Sequence, residues 1–494
     1  VISRVVDLDP RAISRSSDLT HSAFVKKTQQ GMVVVIDGKP GKEYKEVGRP
    51  VLSHDGKRIA YFANDGKNAF VVDNGKPGPK YETIKERMIV FDPTGKNLAY
   101  VAFKGYKEYI VINGKEQAAP GEVSQFVFSA NGSQWAAKVG DEFGGTWIVG
   151  GKRVYGSPLK EYFALSPDGK RWAGLIEGKS KQIGSGKSGG MEWTTSTIGS
   201  RIVVDGEKMQ DTEMTGVSGG GQFFNFSPNS KRISYSIHRD DKEFLIVDRK
   251  EFGPYEAVSS VQFSPSGKTA AWVANNGQEC CLYVEGEPQG YKFGTAGGDM
   301  GVYGLPDIAF KGEVPVAFVT HEGLESQLVV EGVAKSGYRF ISAPIVNAKG
   351  DFYYLAERDK TTILLKNGEE QFEVEGDSVG GWSAYIECLA VDDAGNTGFV
   401  VTRDDSAFLI VNGKEVAELG TRLEATTREG RCAVSESRDM GEFTKGDPDD
   451  PDFKPGGIVS TRQPVVFIRV VCANGVFRAL GVKDGKLTMV ESKP

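Results

Sequence analysis

The sequence predicts an all-β protein assembled from one unit repeated about ten or eleven times. Three features carry that reading: a turn-centred segment recurs along the chain, a second glycine turn follows each copy, and almost no stretch has the periodicity of an amphipathic helix.

The first segment reads SHDGKRIAYF at 53–62, DPTGKNLAYV at 92–101, SANGSQWAAK at 129–138 and SPDGKRWAGL at 166–175. Further copies are SPNSKRISYS at 227–236, SPSGKTAAWV at 264–273, NAKGDFYYLA at 347–356 and DDAGNTGFVV at 392–401, with a weaker relative, FKGEVPVAFV, at 310–319. Its glycines Gly56, Gly95, Gly132 and Gly169 are 39, 37 and 37 residues apart. The second segment is an apolar, β-branched run closing on a two-residue turn. It reads VVVIDGK at 33–39, FVVDNGK at 70–76, YIVINGK at 109–115 and WIVGGK at 147–152, and it continues as far as FLIVNGK at 408–414, ten copies in all.

Each element has a physical reason. In Ser-Pro-Asp-Gly the proline presets φ, the aspartate bonds nearby backbone, and the glycine takes the left-handed position that closes a short hairpin loop. Asn-Gly and Asp-Gly suit the two-residue type I′ turn, which needs positive φ at both positions. One unit therefore reads as four short strands: a run such as MIVF, the turn, NLAYVAF, then YIVI, the Asn-Gly turn, and a weaker fourth strand ending near Val123. It is an antiparallel meander of roughly forty residues. Both alternate positions of NLAYVAF and EFLIV are apolar, which implies burial on both faces. Small four-stranded sheets packed face to face meet that need, so the predicted fold is a β-propeller. Solenoids repeat over shorter lengths or carry helices.

The SPDGKRIAY-type copies resemble the WD-repeat-like units of TolB and of prolyl-oligopeptidase-type propellers, over about Ser14 to Gly413. The TolB resemblance implies a periplasmic scaffold that binds other proteins. The peptidase resemblance implies a cap over a hydrolase domain, and no alternating helix-strand region is present to form one.

Ten units plus the runs RCAVS, VVFIRVV, VFRALGV and KLTMV at 431–490 exceed the usual 4–8 blades of one ring. The expected organisation is two rings, residues 1–298 with about seven units and 299–494 with about four, the last interrupted at 438–462. One unusually large ring over 1–494 is the alternative. The N-terminal VISRVVDLD is expected to complete a blade with strands from the other terminus. Three insertions break the period, at 177–200, 294–304 and 438–462, and long loops on a rigid scaffold are where binding concentrates.

Composition narrows the function classes. Lys+Arg 60 against Asp+Glu 66 gives a net charge of -6 with the signs interspersed, so no basic stripe points to nucleic acid or an anionic membrane surface. No apolar run is long enough for membrane insertion as a helix. The chain opens on Val1, which fits a trimmed or processed N-terminus of an extracytoplasmic (periplasmic or secreted) protein. The five cysteines (Cys280, Cys281, Cys388, Cys432 and Cys472) are too few and scattered for a disulfide framework, and adjacent Cys280 and Cys281 read as buried thiols. The four histidines are far apart in sequence, and His54 and His238 sit in or near hairpin turns.

Candidate chemistry is sparse. Gly186-Lys187-Ser188 lacks the upstream glycine of a phosphate loop, whose place is taken by Lys181. GxSxG occurs at 186–190, 216–220 and 376–380, too often in a glycine-rich chain to mark a nucleophile, and no histidine follows Ser378. Asp447, Asp449, Asp450 and Asp452 offer hard oxygen ligands for calcium without EF-hand spacing. No cofactor is required, and calcium is the one the sequence leaves room for. Trp135, Trp172 and Trp272 recur at equivalent places and read as core, whereas Trp193 and Trp382, beside glycine-rich loops, are the better aromatic candidates for a binding contact. The expected function is a non-enzymatic extracytoplasmic scaffold for a protein partner or assembly. The alternative is a propeller lyase or glycoside hydrolase with an axial carboxylate or metal site.

Overall fold

A computed structural model describes residues 2–6, 13–17, 19–141, 144–154, 159–188, 191–212, 224–240, 242–277, 280–293, 308–322, 325–378, 389–403, 406–421, 423–425, 434–436, 470–473, 475–483 and 486–494. Every regular element among them is a β-strand. Apart from a two-stranded ribbon, Leu423–Ala425 with Val434–Glu436, the described strands pair antiparallel to give eleven sheets of four strand positions, here blades 1 to 11 in chain order with strands a to d. In several blades strand a is broken in two, as in Glu46–Val47 and Val51–Leu52, which both pair with Ile59–Asn64. The chain is thus all-β and built of propeller-type blades. It divides into two compact units, Ile13–Gly337 carrying blades 1 to 8, and Tyr338–Pro494 with Val1–Ala12 carrying blades 9 to 11.

Blade 3 shows why these residues form these strands. Its strands a to d are Thr83–Phe91, Leu98–Lys104, Lys107–Ile112 and Lys115–Ala118. Alternate residues of b serve opposite neighbours: Leu98, Tyr100 and Ala102 pack with Ala60, Phe62 and Val71 of blade 2, while Val101 joins Ala137, Val139 and Ile148 of blade 4. A strand sandwiched in this way must be apolar on both faces, which accounts for its unbroken hydrophobic run. The fourth strand ends at Ala118, and Val123 instead belongs to strand a of blade 4, Glu122–Phe128.

The c–d turns are type I′. Asp37, Asn74, Asn113, Asp205, Asn367 and Asn412 hold φ between 47° and 51°, and each is followed by a glycine at positive φ. Their side chains do a second job. Asn74 Oδ1 accepts the N–H of Ile59 at 2.8 Å, Asn113 that of Leu98 at 3.0 Å, Asp205 that of Trp172 at 2.8 Å and Asn412 that of Thr397 at 2.8 Å. The first residue of strand b is thereby capped by the turn between c and d.

In the a–b turn the leading serine is the keystone. Buried Ser166 accepts the N–H of Arg171 at 2.9 Å and donates to Asp168 Oδ1 at 2.7 Å, and Asp168 in turn accepts the N–H of Lys170 at 3.0 Å. Ser53, Ser129 and Ser227 repeat the arrangement, and Asp92 replaces it with its own carboxylate. The glycine matters for packing as well as for φ: a Cβ on Gly169 would lie 2.5 Å from Gln134 Cβ of the preceding blade. Ser230 stands at that place in blade 6 with φ 63°, and its hydroxyl accepts the N–H of Asp168 at 2.9 Å.

Two features depart from the sequence reading. A further copy of the turn lies at 16–21, where Ser16 caps the N–H of His21 at 2.9 Å and Leu19, not glycine, sits at φ 58°. The insertion at 177–200 is not an irregular loop: strands Trp172–Ser188 and Met191–Val204 pair along their length as one extended b–c hairpin of blade 5. Blade 11 closes as expected, Ile2–Val6 pairing with Lys486–Ser492 in the register Ile2↔Glu491 to Val6↔Leu487.

Ser166→Ala strips a buried N–H and a carboxylate of their shared partner, so we expect about 1–3 kcal/mol of destabilisation. A lowered urea midpoint checks this, and an unchanged midpoint refutes the keystone role.

Candidate interaction surface

A meander has two ends. The a–b and c–d turns share one, here the turn end; the b–c turns and d–a connectors share the other, the connector end.

Short polar contacts bind the turn end from blade to blade. Arg58 of blade 2 donates to the carbonyls of Gly95 and Lys96 in blade 3, at 3.0 and 2.6 Å, and lies 4.9 Å from the Phe91 ring centroid. Arg171 donates to Asp205 at 2.9 Å and to the carbonyl of Lys231 in blade 6 at 2.8 Å, over Phe226 at 5.4 Å. Arg232 pairs with Asp248 and Glu285 at 2.6 Å over Phe263 at 5.6 Å. In blade 8, which has a tighter a–b turn, Glu313 accepts from the hydroxyls of Ser264, Ser266 and Thr269 of blade 7. These backbone carbonyls and side chains are spoken for, although Asp73 Oδ1, Asn347 Nδ2 and Thr397 Oγ1 at the turn ends are buried without a partner among the described residues.

The connector end carries the breaks in period. The b–c hairpin of blade 5 extends from it, paired through Ser180↔Ile198 to Ser188↔Met191. The insertion at 294–304 falls between strand d of blade 7, ending at Phe293, and strand a of blade 8, starting at Ala309. That at 438–462 follows a separate two-stranded ribbon, Leu423–Ala425 paired with Val434–Glu436, and precedes strand a of blade 11, starting at Val471. Tyr106, in the b–c turn of blade 3, is the most exposed large hydrophobic residue among the described residues at 108%.

Of the sequence candidates, Trp193 is placed by its backbone on this hairpin, opposite Gly186. Trp382 and the cluster Asp447, Asp449, Asp450 and Asp452 lie outside the described residues. Gly186-Lys187-Ser188 lies within a β-strand, without the strand-to-helix turn a phosphate loop needs. Asp377 and Ser378 pair with Thr402 and Val401 in strand a of blade 10, and 216–220 lies outside the described residues. Trp272 is fully buried, stacked on Tyr283 at 5.9 Å; Trp135 and Trp172 are half-buried in stacks with Phe126 and Phe163. His54 is exposed in its turn, and His21 Nδ1 lies 2.8 Å from Asp37, a turn contact of the kind Arg171 makes with Asp205. Cys281 is buried, and burial raises the half-buried Cys472 thiol above its usual value.

On the a strands, Glu46 of blade 2 and Glu86 of blade 3 are exposed, and burial together with the charge of Glu46 raises the Glu86 carboxyl. Burial, reinforced by Arg49, lowers Arg15 to about 10. Among the described residues no three His, Cys, Asp or Glu side chains are grouped to hold a metal ion.

Away from the turns, a second stitch joins blades 2 and 3. Tyr81 donates to Glu116 at 2.8 Å, and Lys104 reaches both Glu116 oxygens at 2.7 and 2.6 Å while lying 5.2 Å from the Tyr81 centroid. Between blades 1 and 2 there is instead a groove of about 630 Å³, with Tyr44, Phe70 and Pro77 among its walls and Lys42, Lys45 and Lys80 around it.

The hydrogen bonds from Lys104 and Tyr81 hold the Glu116 carboxyl below its ordinary value of 4.5. A carboxylate with a depressed folded-state value stabilises above its unfolded value and loses that contribution as pH falls through the folded one. Glu116→Gln should therefore lower the unfolding midpoint at neutral pH, and the gap from wild type should close as pH drops below 4.5. Midpoints measured across that range check it, and a gap independent of pH refutes it.

No protein-family model matches the chain, and neither does any curated protein. Among solved structures it is similar to a eukaryotic initiation factor, at 12% identity and TM-score 0.36, covering 80% of this chain and 95% of that one. It is also similar to TolB from Acinetobacter baumannii, at 12% identity and TM-score 0.23 over 53% of this chain, and spans 65% of that TolB. A third is the β-propeller domain of the Trilobed protease from Pyrococcus furiosus, at 10% identity and TM-score 0.26, covering 75% of this chain and 94% of that one. The solved neighbours include TolB and other β-propellers, and the class of protein defined by the chain's own sheets is a β-propeller-type repeat protein.

Proposed function

We propose that this chain is a non-enzymatic, extracytoplasmic scaffold that mediates protein-protein interaction through the connector ends of its blades. The observation that carries the reading is the asymmetry of the blades. In blades 2 to 8 the turn ends meet through arginine, serine and carbonyl contacts, whereas the extended hairpin of blade 5 leaves from the connector end and the insertion at 294–304 follows strand d of blade 7 there. Rigid strands with satisfied backbone present such segments at low entropic cost, as binding loops require. The extracytoplasmic setting rests on the resemblance of the repeat to TolB units. Trp193 on the hairpin, and Trp382, are the aromatic contacts we assign to the partner.

Photo-crosslinking amino acids placed at Tyr106 or Trp193 are expected to capture a partner in the native envelope. The same groups at Lys57 or Lys76, both exposed at the turn end, are not. Equal capture from both ends, or none from the connector end, rejects the reading.

We further propose that Asp447, Asp449, Asp450 and Asp452 hold a structural calcium ion, their hard carboxylate oxygens being the ligands calcium prefers. Calcium should then raise the thermal-unfolding midpoint and a chelator lower it, with Asp449→Asn together with Asp450→Asn abolishing the difference. A midpoint indifferent to calcium rejects the site.

A further inference from the structure

The groove between blades 1 and 2 marks the place where a repeated stitch is missing. Registers fix the equivalent positions. In blade 3 Tyr100 pairs with Val111 and Val111 with Glu116; in blade 2 Tyr61 pairs with Val72 and Val72 with Pro77. Pro77 therefore stands where blade 3 has Glu116, and by the same alignment Asp65 stands where it has Lys104. Tyr44, opposite Met32 at the end of strand d, corresponds to Tyr81, which bridges Ala69. The close-packed glycines agree: Gly41 and Gly78 lie near the hydroxyls of Tyr61 and Tyr100.

The cation-carboxylate pair recurs elsewhere, as Arg239 with Glu251, Arg358 with Glu370 and Arg403 with Glu415. Tyr338 donates to Glu370 at 2.9 Å and lies under Arg358, reproducing the full triad of Tyr81, Lys104 and Glu116. Blade 7 also has a proline at the carboxylate position, Pro288, which pairs with Tyr283 as Pro77 pairs with Val72. There, however, large rings take up the space: Tyr283 stacks on Trp272 and meets Tyr255 edge-on at 5.5 Å. Blade 2 has only Val72 where blade 7 has Tyr283, so the space stays open as the groove.

Of the triad the groove keeps the tyrosine, Asp65 and Pro77 replacing the other two members, and gains a lysine from another position, Lys42. The Tyr44 ring is buried and packs edge-on against Phe70 at 5.5 Å, and its hydroxyl has no hydrogen-bond partner among the described residues. Lys42 lies 5.4 Å from the Tyr44 centroid, as Lys104 lies over Tyr81. Lys45 adds charge, Lys80 is paired with Asp65 at 3.8 Å and Glu43 accepts from the Thr28 hydroxyl, so three lysines against two carboxylates leave the groove positive. A tyrosine hydroxyl and a lysine poised over an aromatic ring make up the donor set that holds Glu116 and, with arginine for lysine, Glu370.

We propose that this groove is a docking site for a glutamate-bearing acidic segment of a partner protein, whose carboxylate takes the position that Glu116 occupies at the next junction. The inference deepens the scaffold reading by naming the chemistry of the partner, and it rests on that reading only for the partner's being a protein.

The test is fluorescence anisotropy with a labelled peptide of alternating glutamate and glycine, its glutamine counterpart as control, and inorganic phosphate as competitor. Wild type should bind the glutamate peptide in preference to the glutamine one, with affinity falling as salt is raised. Tyr44→Phe should weaken binding by about tenfold, the loss of one hydrogen bond to a charged acceptor. Asp65→Lys with Pro77→Glu rebuilds the internal triad and should abolish binding; because Asp65 also accepts the N–H groups of Lys67 and Asn68, its unfolding midpoint is compared with that of Asp65→Lys alone, above which the added Pro77→Glu should raise it. Equal binding of both peptides, a rebuilt variant that binds like wild type, or displacement by phosphate at peptide-like concentrations each overturns the proposal. Peptide binding without crosslinks at the connector end would sink the scaffold reading and leave the groove standing. Crosslinks without peptide binding would do the reverse.

Discussion

The whole architecture depends on satisfying the backbone at one end of every blade. Four strands that turn back within two to five residues leave N–H groups that no ladder reaches, and burying them unpaired costs about 1–3 kcal/mol apiece. A short side-chain carbonyl in a left-handed turn solves this locally. Asn74, Asn113, Asp205 and Asn412 each accept the first N–H of strand b, and positive φ at these residues directs the side chain back across the sheet. Asn and Asp are the residues that combine a tolerance of that backbone with an acceptor of the right length. In blade 7 Glu285 reaches the N–H of Ala270 with a longer arm.

From that constraint the packing between blades follows. Once the turn is fixed, the residue before strand b points along the turn end toward the next blade. Where it is arginine, it clamps carbonyls there and covers an aromatic ring at the end of the next strand a, as Arg58 covers Phe91 and Arg171 covers Phe226. Where it is asparagine the reach is shorter, Asn97 donating to the carbonyl of Gly132 at 2.9 Å. The clamps bring the turns so close that Gly132 would place a Cβ 2.2 Å from Asp92. The glycine of the repeat is thus demanded twice, by its own φ and by its neighbour.

The repeat was legible in the sequence because both of its turns are chemically conspicuous. Strand order, the type I′ turns and closure of the last blade by Ile2–Val6 all follow from turn spacing and apolar runs. What was not legible has particular causes. The copy at Ser16–His21 was hidden by Leu19, a residue that sterics disfavour at φ 58° and that no turn rule would place there. Residues 177–200 read as a loop because glycine, serine and threonine dominate them, yet two such runs can pair with each other as strands when a blade supplies the register at Ala173↔Val204. Ser166 carries no signal in the sequence because its value lies in being buried beneath the turn, which composition does not reveal. The groove had no linear signature: Asp65 and Pro77 are unremarkable until the register sets them beside Lys104 and Glu116.

That last point changes where function should be sought in a repeat protein. Insertions are the visible departures, since they lengthen the chain. A substitution at a stitch position is silent in length and in fold, because the neighbouring caps and clamps continue to hold the blade. Its effect is to leave a complementary group without its counterpart, here the Tyr44 hydroxyl, beside which Lys42 supplies a cation over the same ring. Replacing members of an interlocking set leaves a binding surface arranged for what was lost, since the remaining tyrosine is held by its packing on Phe70 rather than by the missing partner. The repeated blades are therefore more than a platform for their insertions: each intact junction is a template of what an incomplete junction can bind.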